Sequence, residues 1–144
     1  MKERIEMKYK DQVALDKAVR EEHDDLARRT GDAVRLLGPV VQAAFGRLSQ
    51  IIAHWNTAQG FWDSENTGEK IALMHSELSE ALEADRKDLD SDHIPEFSGV
   101  EEELADCMIR IFDFAGHHEL RLAEAFSAKL EYNLTRPYRH GKGY

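Results

Sequence analysis

Apolar side chains recur at every third or fourth position along most of this chain. The spacing is clear in Ile71, Met74 and Leu78, which are followed one turn later by Ala81 or Leu82. This is the period of an α-helix, whereas a half-buried strand would alternate at every second position. We therefore predict an all-α fold. The predicted helices cover about residues 10–29, 39–59, 68–87, 100–115 and 119–135, and the apolar stripe of the helix at 100–115 consists of Leu104, Met108, Ile111 and Phe112.

Two segments with helix-breaking residues divide the N-terminal part of the pattern. They are Thr-Gly-Asp at 30–32 and Leu-Leu-Gly-Pro at 36–39, the second with its proline at a tolerated first helical position. We therefore predict an N-terminal helical extension, residues 1–38, followed by a domain of four core helices, residues 39–144. Because the connections between the core helices are short, these helices are expected to pack as an antiparallel bundle.

Capping residues mark several of the predicted helix ends. Asn66 with Glu69, and Ser98 with Glu101, have the spacing of a capping residue and its partner three positions later. Gly116 predicts the end of the helix at 100–115, since glycine commonly follows the last helical turn. These signals place the loops of the domain between apolar helices.

The composition narrows the class of protein. The 144 residues contain 19 Lys and Arg but 28 Asp and Glu, which gives a formal net charge of −9. Such a charge disfavours binding to nucleic acid. No apolar run approaches about 18 residues, so we expect no membrane span. The charged start of the chain is unlike a secretion signal, and the single cysteine, Cys107, excludes an internal disulfide framework. We therefore expect a cytoplasmic location.

Two pairs of acidic residues border the apolar stripes of consecutive helices. Glu77 and Glu80 form the first pair, and Glu103 and Asp106 the second. A single pair three positions apart is usually a solvated surface feature. Two pairs on neighbouring antiparallel helices can converge, and four converging carboxylates need a cation to neutralise them. Mg²⁺, which prefers oxygen ligands, is the expected cation. By contrast, we predict surface or helix N-terminal positions for Glu83, Glu101 and Glu102.

The last predicted helix carries a polar stripe. Lys129, Asn133 and Arg136 are spaced so that they share one helix face. Two cations beside an amide suit the recognition of phosphate oxygens, although basic residues near a helix C-terminus also stabilise the helix dipole.

Together these motifs resemble a known family. Glu77-x-x-Glu80, a spacer of 22 residues, Glu103-x-x-Asp106, and then Lys129-x-x-x-Asn133-x-x-Arg136-Pro137 are similar to the MazG-like, all-α nucleoside triphosphate pyrophosphohydrolases. The resemblance covers about residues 48–143. The chain departs from the family at Ser76, where the motif commonly has a glutamate.

The resemblance implies an enzyme that converts a nucleoside or deoxynucleoside triphosphate to the monophosphate and pyrophosphate. It implies that Glu77, Glu80, Glu103 and Asp106 are catalytic and hold Mg²⁺ or Mn²⁺, which activates the water that attacks the α-phosphate. Lys129, Asn133 and Arg136 would bind the phosphates, and Trp62 with His54 would bind the base. Family members associate as homodimers or homotetramers, so we expect the same here.

Other readings of the sequence remain open. The strongest is a non-catalytic helical module that binds a nucleotide or a protein, because Ser76 removes one family carboxylate. A di-iron bundle is disfavoured, since no Glu is followed by His three positions later. His23 and Asp24 form a dipeptide found in His-Asp phosphohydrolases, but their charged surroundings predict a solvated helix face.

Overall fold

A computed structural model describes the backbone of residues 2–137 and the side chains of residue 14 and residues 16–137. Within that range the regular structure is helical, and the only pairing of extended backbone is an isolated bridge between Asp90 and Ser98. The all-α prediction is confirmed. The helices are α1 (Lys2–Ala58), α2 (Thr67–Lys87), α3 (Gly99–His117) and α4 (Leu122–Leu134).

The predicted breaks at 30–32 and 36–39 are wrong, because α1 continues through both segments with Pro39 inside it. The N-terminal extension and the first predicted core helix are therefore one element. Gly31 is buried and lies against Arg35 and Leu134, so this glycine provides room for packing and does not end the helix. A proline inside a helix costs about 3 kcal/mol. A long helix tolerates this cost because it is already nucleated on both sides of the proline.

The predicted caps of α2 and α3 are confirmed. The side chain of Asn66 accepts a hydrogen bond from the backbone N–H of Glu69 at 3.1 Å. At the start of α3, the Ser98 hydroxyl accepts from the N–H of Glu101, and the Glu101 carboxylate accepts from the N–H of Ser98 at 2.8 Å. These bonds satisfy N–H groups that have no partner within the helix.

The contacts within the chain define two units, residues 1–42 with 124–144, and residues 43–123. In the first unit, Gly31 on α1 contacts Leu134 on α4. The second unit contains the rest of α1 together with α2 and α3. The division of the chain after residue 38 into an extension and a domain stays a prediction.

Helices α2 and α3 of the second unit run antiparallel. Gly99 at the start of α3 lies against Ala84 near the end of α2, while Trp62, just before α2, stacks on His117 at the end of α3. The buried apolar side chains here are mostly small; they are Ala53, Trp62, Ala81, Ala84, Cys107, Phe112, Ala115 and Ala123. The two acidic pairs are thus carried on helices that lie side by side.

Most large residues of the predicted apolar stripes are only half-buried. Phe112 and Ala81 are buried as predicted. Six others keep between 37% and 51% of their surface exposed, namely Ile71, Leu78, Leu82, Leu104, Met108 and Ile111. Leu82 was the alternative to Ala81, whose burial satisfies that prediction. The other five were predicted as core residues, and for them the prediction is wrong within this chain alone, because α2 and α3 meet through small side chains and leave the larger ones outside.

One part of α1 meets the minimum requirements for a membrane-spanning helix. Between Asp16 and Ala58, an 18-residue window has a mean hydropathy of 1.2, and 11% of it is buried. A single helix of this kind is a weak indication by length and composition only. The absence of a membrane span and the cytoplasmic location stay predictions.

Gly116 has a role that the sequence did not reveal. Helix α3 continues past it to His117, so its predicted role as the helix end is wrong. A Cβ atom at Gly116 would lie 2.1 Å from the carbonyl oxygen of Ser49 and 2.8 Å from the Cβ of Ala53. The glycine therefore allows the backbones of α1 and α3 to approach closely.

We expect Gly116→Ala to lower the free energy of unfolding by about 1–3 kcal/mol, because the added methyl group forces α1 and α3 apart. Gly46→Ala is the matched control, since a Cβ at this helical position of α1 meets nothing within 4 Å. It is expected to be neutral or stabilising by up to about 1 kcal/mol. Urea unfolding of both variants tests the packing, and equal stability of the two would contradict it.

Candidate functional site

Three of the four predicted carboxylates converge between α2 and α3. Glu77, Glu80 and Glu103 each offer an oxygen atom, and these atoms all lie within 4.8 Å of one another. Glu77 is buried, with 5% of its surface exposed, whereas Glu103 is half-buried and Glu80 is exposed. A cation placed among them would be reached from solvent through Glu80 and held on the inner side by Glu77.

Burial and the neighbouring negative charges favour the protonated form of two carboxyl groups in this region. Burial, a hydrogen bond with Glu77 and the negative charges of Glu80, Glu77 and Asp106 raise the pKa of Glu103 to about 7. Burial, followed by the charges of Glu77 and Glu102, also raises the pKa of Asp106. Asp106 thus belongs electrostatically to the same group, which we call the acidic cluster (Glu77, Glu80, Glu103 and Asp106). A proton or a metal ion relieves the repulsion.

Two further side chains bind the acidic cluster, and the sequence predicted neither role. The Nε of Arg110 donates a hydrogen bond to Oε1 of Glu77 at 2.5 Å. The hydroxyl of Ser76 donates to Oε1 of Glu80 at 2.7 Å. Arg110 lies four positions after Asp106 on α3, and this helical spacing was the feature of the sequence that could have placed Arg110 near the acidic pairs. The Ser76 hydroxyl thus orients the Glu80 carboxylate.

A cavity of about 530 Å³ adjoins the acidic cluster. Asp106 and Arg110 line part of its wall, and Phe61, Trp62 and Phe114 supply aromatic surface. The other lining residues are Asn56, Gly60, Ser64, Glu69, Lys70, Leu73, Ile109 and Asp113. The cavity therefore presents charged groups and aromatic groups to the same space, and we call it the aromatic cavity.

Trp62 is held firmly in the wall of the aromatic cavity. It is buried, its indole N–H donates to Asp113 at 2.9 Å, and its ring stacks on His117 with centroids 3.6 Å apart. The Nζ of Lys70 lies 4.7 Å from the centre of the same ring. Phe61, in contrast, lines the cavity with 61% of its surface exposed. His54, the other predicted base-binding residue, is exposed and is not part of this lining.

Glu102 lies in the first turn of α3, which is the helix N-terminal position that we predicted, but it is not a surface charge. It is buried and accepts hydrogen bonds from the Ser91 hydroxyl at 2.5 Å and from the N–H of Asp92 at 3.1 Å. His93 Nδ1 lies 2.7 Å from its other oxygen. Glu102 therefore ties the loop between α2 and α3 to α3. The predictions for the other two glutamates hold, since Glu83 is exposed and paired with Lys87, and Glu101 caps α3.

The predicted phosphate-binding residues belong to the first unit. Lys129 and Asn133 are exposed on α4, and the Nζ of Lys129 lies 4.7 Å from the ring centre of Tyr132. Arg136 follows the end of α4 at Leu134, and its backbone N–H donates to the carbonyl of Asn133 at 3.2 Å. Their role toward a phosphate stays a prediction.

Comparisons with known proteins add no assignment. No protein-family model, no curated protein and no solved structure matches this chain. The resemblance therefore depends on the residues of the chain itself and on their geometry.

We expect the repulsion in the acidic cluster to make the metal-free protein less stable as the pH rises from 4.5 to 7. The raised pKa of Glu103 means that the folded state keeps a proton that the unfolded state releases in this range, so its stabilising contribution is full at low pH and is lost as the pH rises through 7. Urea unfolding with a chelator present, at a series of pH values, measures the slope.

Glu103→Gln should make this decline shallower, because the amide does not titrate. Glu83→Gln is the control, since the hydrogen bond from Lys87 lowers the pKa of the exposed Glu83. This control should decline with pH as the wild type does between 4.5 and 7. An equally steep decline in Glu103→Gln would show that Glu103 is not protonated in the folded protein.

Proposed function

We propose that this protein is a Mg²⁺-dependent nucleoside triphosphate pyrophosphohydrolase that converts (d)NTP to (d)NMP and pyrophosphate. The observation that carries the proposal is the convergence of Glu77, Glu80 and Glu103 within 4.8 Å, with Asp106 between this group and the aromatic cavity. Three of the four residues in the acidic pairs that suggested the family from sequence thus lie close together.

The acidic cluster fits a hard divalent cation. Its donors are all carboxylate oxygens, which Mg²⁺ and Mn²⁺ bind well. Burial, followed by the hydrogen bond with Glu77 and the neighbouring negative charges, raises the pKa of Glu103, and a cation would relieve the cost of ionising the cluster. Glu77, Glu80, Glu103 and Asp106 would hold the ion. When bound, Mg²⁺ neutralises phosphate charge and makes a water molecule acidic enough to attack the α-phosphorus.

The side chains of the chain itself have distinct tasks in this proposal. Glu77, buried on the inner side, fixes the position of the cluster relative to α3. The hydroxyl of Ser76 holds Glu80 in one orientation. A carboxylate of the acidic cluster that the ion does not fully engage would accept the proton of the attacking water. The departing pyrophosphate would be bound by Lys129, Asn133 and Arg136, as the resemblance implies.

The aromatic cavity suits the nucleoside part of the substrate. Aromatic rings stack on bases of any sequence, because every base has a π-face. Trp62, fixed by Asp113 and His117, provides a rigid wall, and the exposed ring of Phe61 is free to stack. A base-binding role for Trp62 is therefore compatible with its burial. His54 is not among the residues that line the aromatic cavity, so it would have to contact the base from outside this cavity.

A non-catalytic nucleotide-binding or protein-interaction module is the second candidate. Two observations favour it, namely Ser76 at the position of a family glutamate and the occupation of Glu77 by Arg110. A measurement of nucleotide hydrolysis distinguishes the two candidate functions, because only the enzyme turns its ligand over.

We expect hydrolysis of at least one member of a panel of dNTPs and NTPs in the presence of Mg²⁺, with the monophosphate and pyrophosphate as products resolved by ion-exchange chromatography. Glu80→Gln and Asp106→Asn should each abolish this turnover, because each removes a charged metal ligand. Asp85→Asn, an acidic residue of α2 outside the cluster, should retain it. The helical circular dichroism of all three variants should match the wild type.

Absence of turnover with both Mg²⁺ and Mn²⁺ would contradict the enzyme and favour the binding module. Retained turnover in both Glu80→Gln and Asp106→Asn would contradict the assignment of the site.

We also propose that a second copy of this chain covers the half-buried stripes of α2 and α3. Each stripe presents three large apolar side chains at helical spacing, which are Ile71, Leu78 and Leu82 on α2, and Leu104, Met108 and Ile111 on α3. A fully buried side chain of this kind contributes about 1.5–3 kcal/mol, and a stable interface buries about 800 Å² on each partner. Six such side chains supply a large part of that area.

We expect light scattering after size exclusion to give a dimer or tetramer. The double variant Leu78→Gln/Met108→Gln should dissociate at micromolar concentration, because it places amides in the apolar contact. Leu120→Gln, an equally exposed leucine in the connection between α3 and α4, should leave the assembly intact. A monomeric wild type, or an intact double variant, would contradict the proposed interface.

A further inference from the structure

Arg110 lies between the two parts of the candidate site. Its Nε donates to Oε1 of Glu77 at 2.5 Å, and the same side chain lines the aromatic cavity beside Asp106. The side chain of Arg110 is 40% exposed, whereas that of Glu77 is 6% exposed. The guanidinium therefore binds a buried carboxylate through Nε, while the rest of its surface is accessible and lines the cavity.

The pairing solves a problem specific to the metal-free protein. A buried carboxylate without a counter-ion is strongly unfavourable, and Glu77 also lies beside Glu80 and Glu103. The positive charge of Arg110 offsets part of this repulsion, since it opposes the rise in the pKa of the neighbouring Asp106. In the metal-free protein, Arg110 thus forms an ion pair with Glu77, whose carboxylate is one of the ligands of the proposed metal site.

A divalent cation on the acidic cluster changes this balance. It repels the guanidinium at close range, and it satisfies Glu77 with twice the charge of Arg110. A triphosphate in the adjoining cavity at the same time offers anionic oxygens to the freed guanidinium. The planar fork of arginine binds phosphate oxygens through two parallel hydrogen bonds, which gives it an advantage over other cations at such a position.

We propose that Arg110 is a substrate-binding residue that Glu77 holds until the metal binds. On metal binding, the guanidinium leaves Glu77 and takes a phosphate oxygen of the nucleoside triphosphate at the edge of the aromatic cavity. The inference rests on the proposed function. It adds a phosphate-binding residue from the same helix as Glu103 and Asp106. It also implies that the metal binds before the nucleotide, because metal binding releases the guanidinium that binds the phosphate.

The Nε–Hε resonance of Arg110 in a ¹H–¹⁵N NMR spectrum reports the exchange directly. The resonance is assigned by its absence in Arg110→Lys. We expect it to leave its hydrogen-bonded position and approach that of the exposed Arg86 when Mg²⁺ saturates the protein. It should shift again when a triphosphate with a non-hydrolysable α,β-bridge is added. An Arg110 resonance that stays in place while the amides of Glu77 and Glu80 report bound Mg²⁺ would overturn the inference.

Calorimetric titration of Arg110→Gln provides a second readout. A charge-assisted hydrogen bond competes with the metal in the wild type, so the variant should bind Mg²⁺ about tenfold more tightly in the absence of nucleotide. The Mg²⁺-loaded variant should bind the non-hydrolysable triphosphate about tenfold more weakly. Arg86→Gln removes one charge from the exposed surface of α2 and should change neither affinity. Weaker Mg²⁺ binding by Arg110→Gln, or unchanged triphosphate binding, would overturn the inference.

Arg110→Lys provides a test that remains valid if Arg110→Gln does not fold. It keeps the charge beside Glu77 but lacks the planar fork, so it should fold, bind Mg²⁺ as the wild type does and bind the triphosphate more weakly. Wild-type affinity for the triphosphate in this variant would overturn the inference. A wild-type protein that binds neither Mg²⁺ nor Mn²⁺ would contradict the proposed function itself, a result seen before any variant is made.

Discussion

The repulsion among the carboxylates between α2 and α3 is the constraint that organises this protein. Glu77, Glu80 and Glu103 lie within 4.8 Å of one another, and one of them is almost fully buried. A stable fold has no need of such a group, and strongly perturbed acidic residues beside a cavity commonly mark functional sites. A bound cation would offset this repulsion, and Arg110 offsets part of it through its contact with Glu77.

The rest of the second unit keeps the two acidic helices in register. Gly116 allows α1 to pack closely on α3, and Glu102 fixes the connection between α2 and α3 through Ser91 and His93. At the other end of the helix pair, Trp62 joins the start of α2 to the end of α3. Contacts at both ends of the helix pair therefore bring the carboxylates of the two helices together, and a hydrogen bond joins Glu103 to Glu77.

The sequence predicted what depends on local spacing. The acidic pairs, the caps at Asn66 and Ser98 and the helical class all follow from residues three or four positions apart. What depends on contacts between distant segments was missed or mistaken. Arg110 meets Glu77 across 33 positions, and the burial of Glu102 depends on a loop folding back onto α3. The helix breaks that we predicted at 30–32 and 36–39 are absent from α1. Their local cost is smaller than the stability of a long helix that is already formed on both sides of them.

Anomalous diffraction from crystals grown with Mn²⁺ tests directly whether the acidic cluster binds a metal ion, because it locates the ion without reference to turnover. We expect an anomalous peak among the carboxylate oxygens of Glu77, Glu80, Glu103 and Asp106, with the guanidinium of Arg110 turned toward the aromatic cavity. The absence of a peak at this position, with Mn²⁺ in excess and at a pH above 7, would contradict metal binding by the acidic cluster.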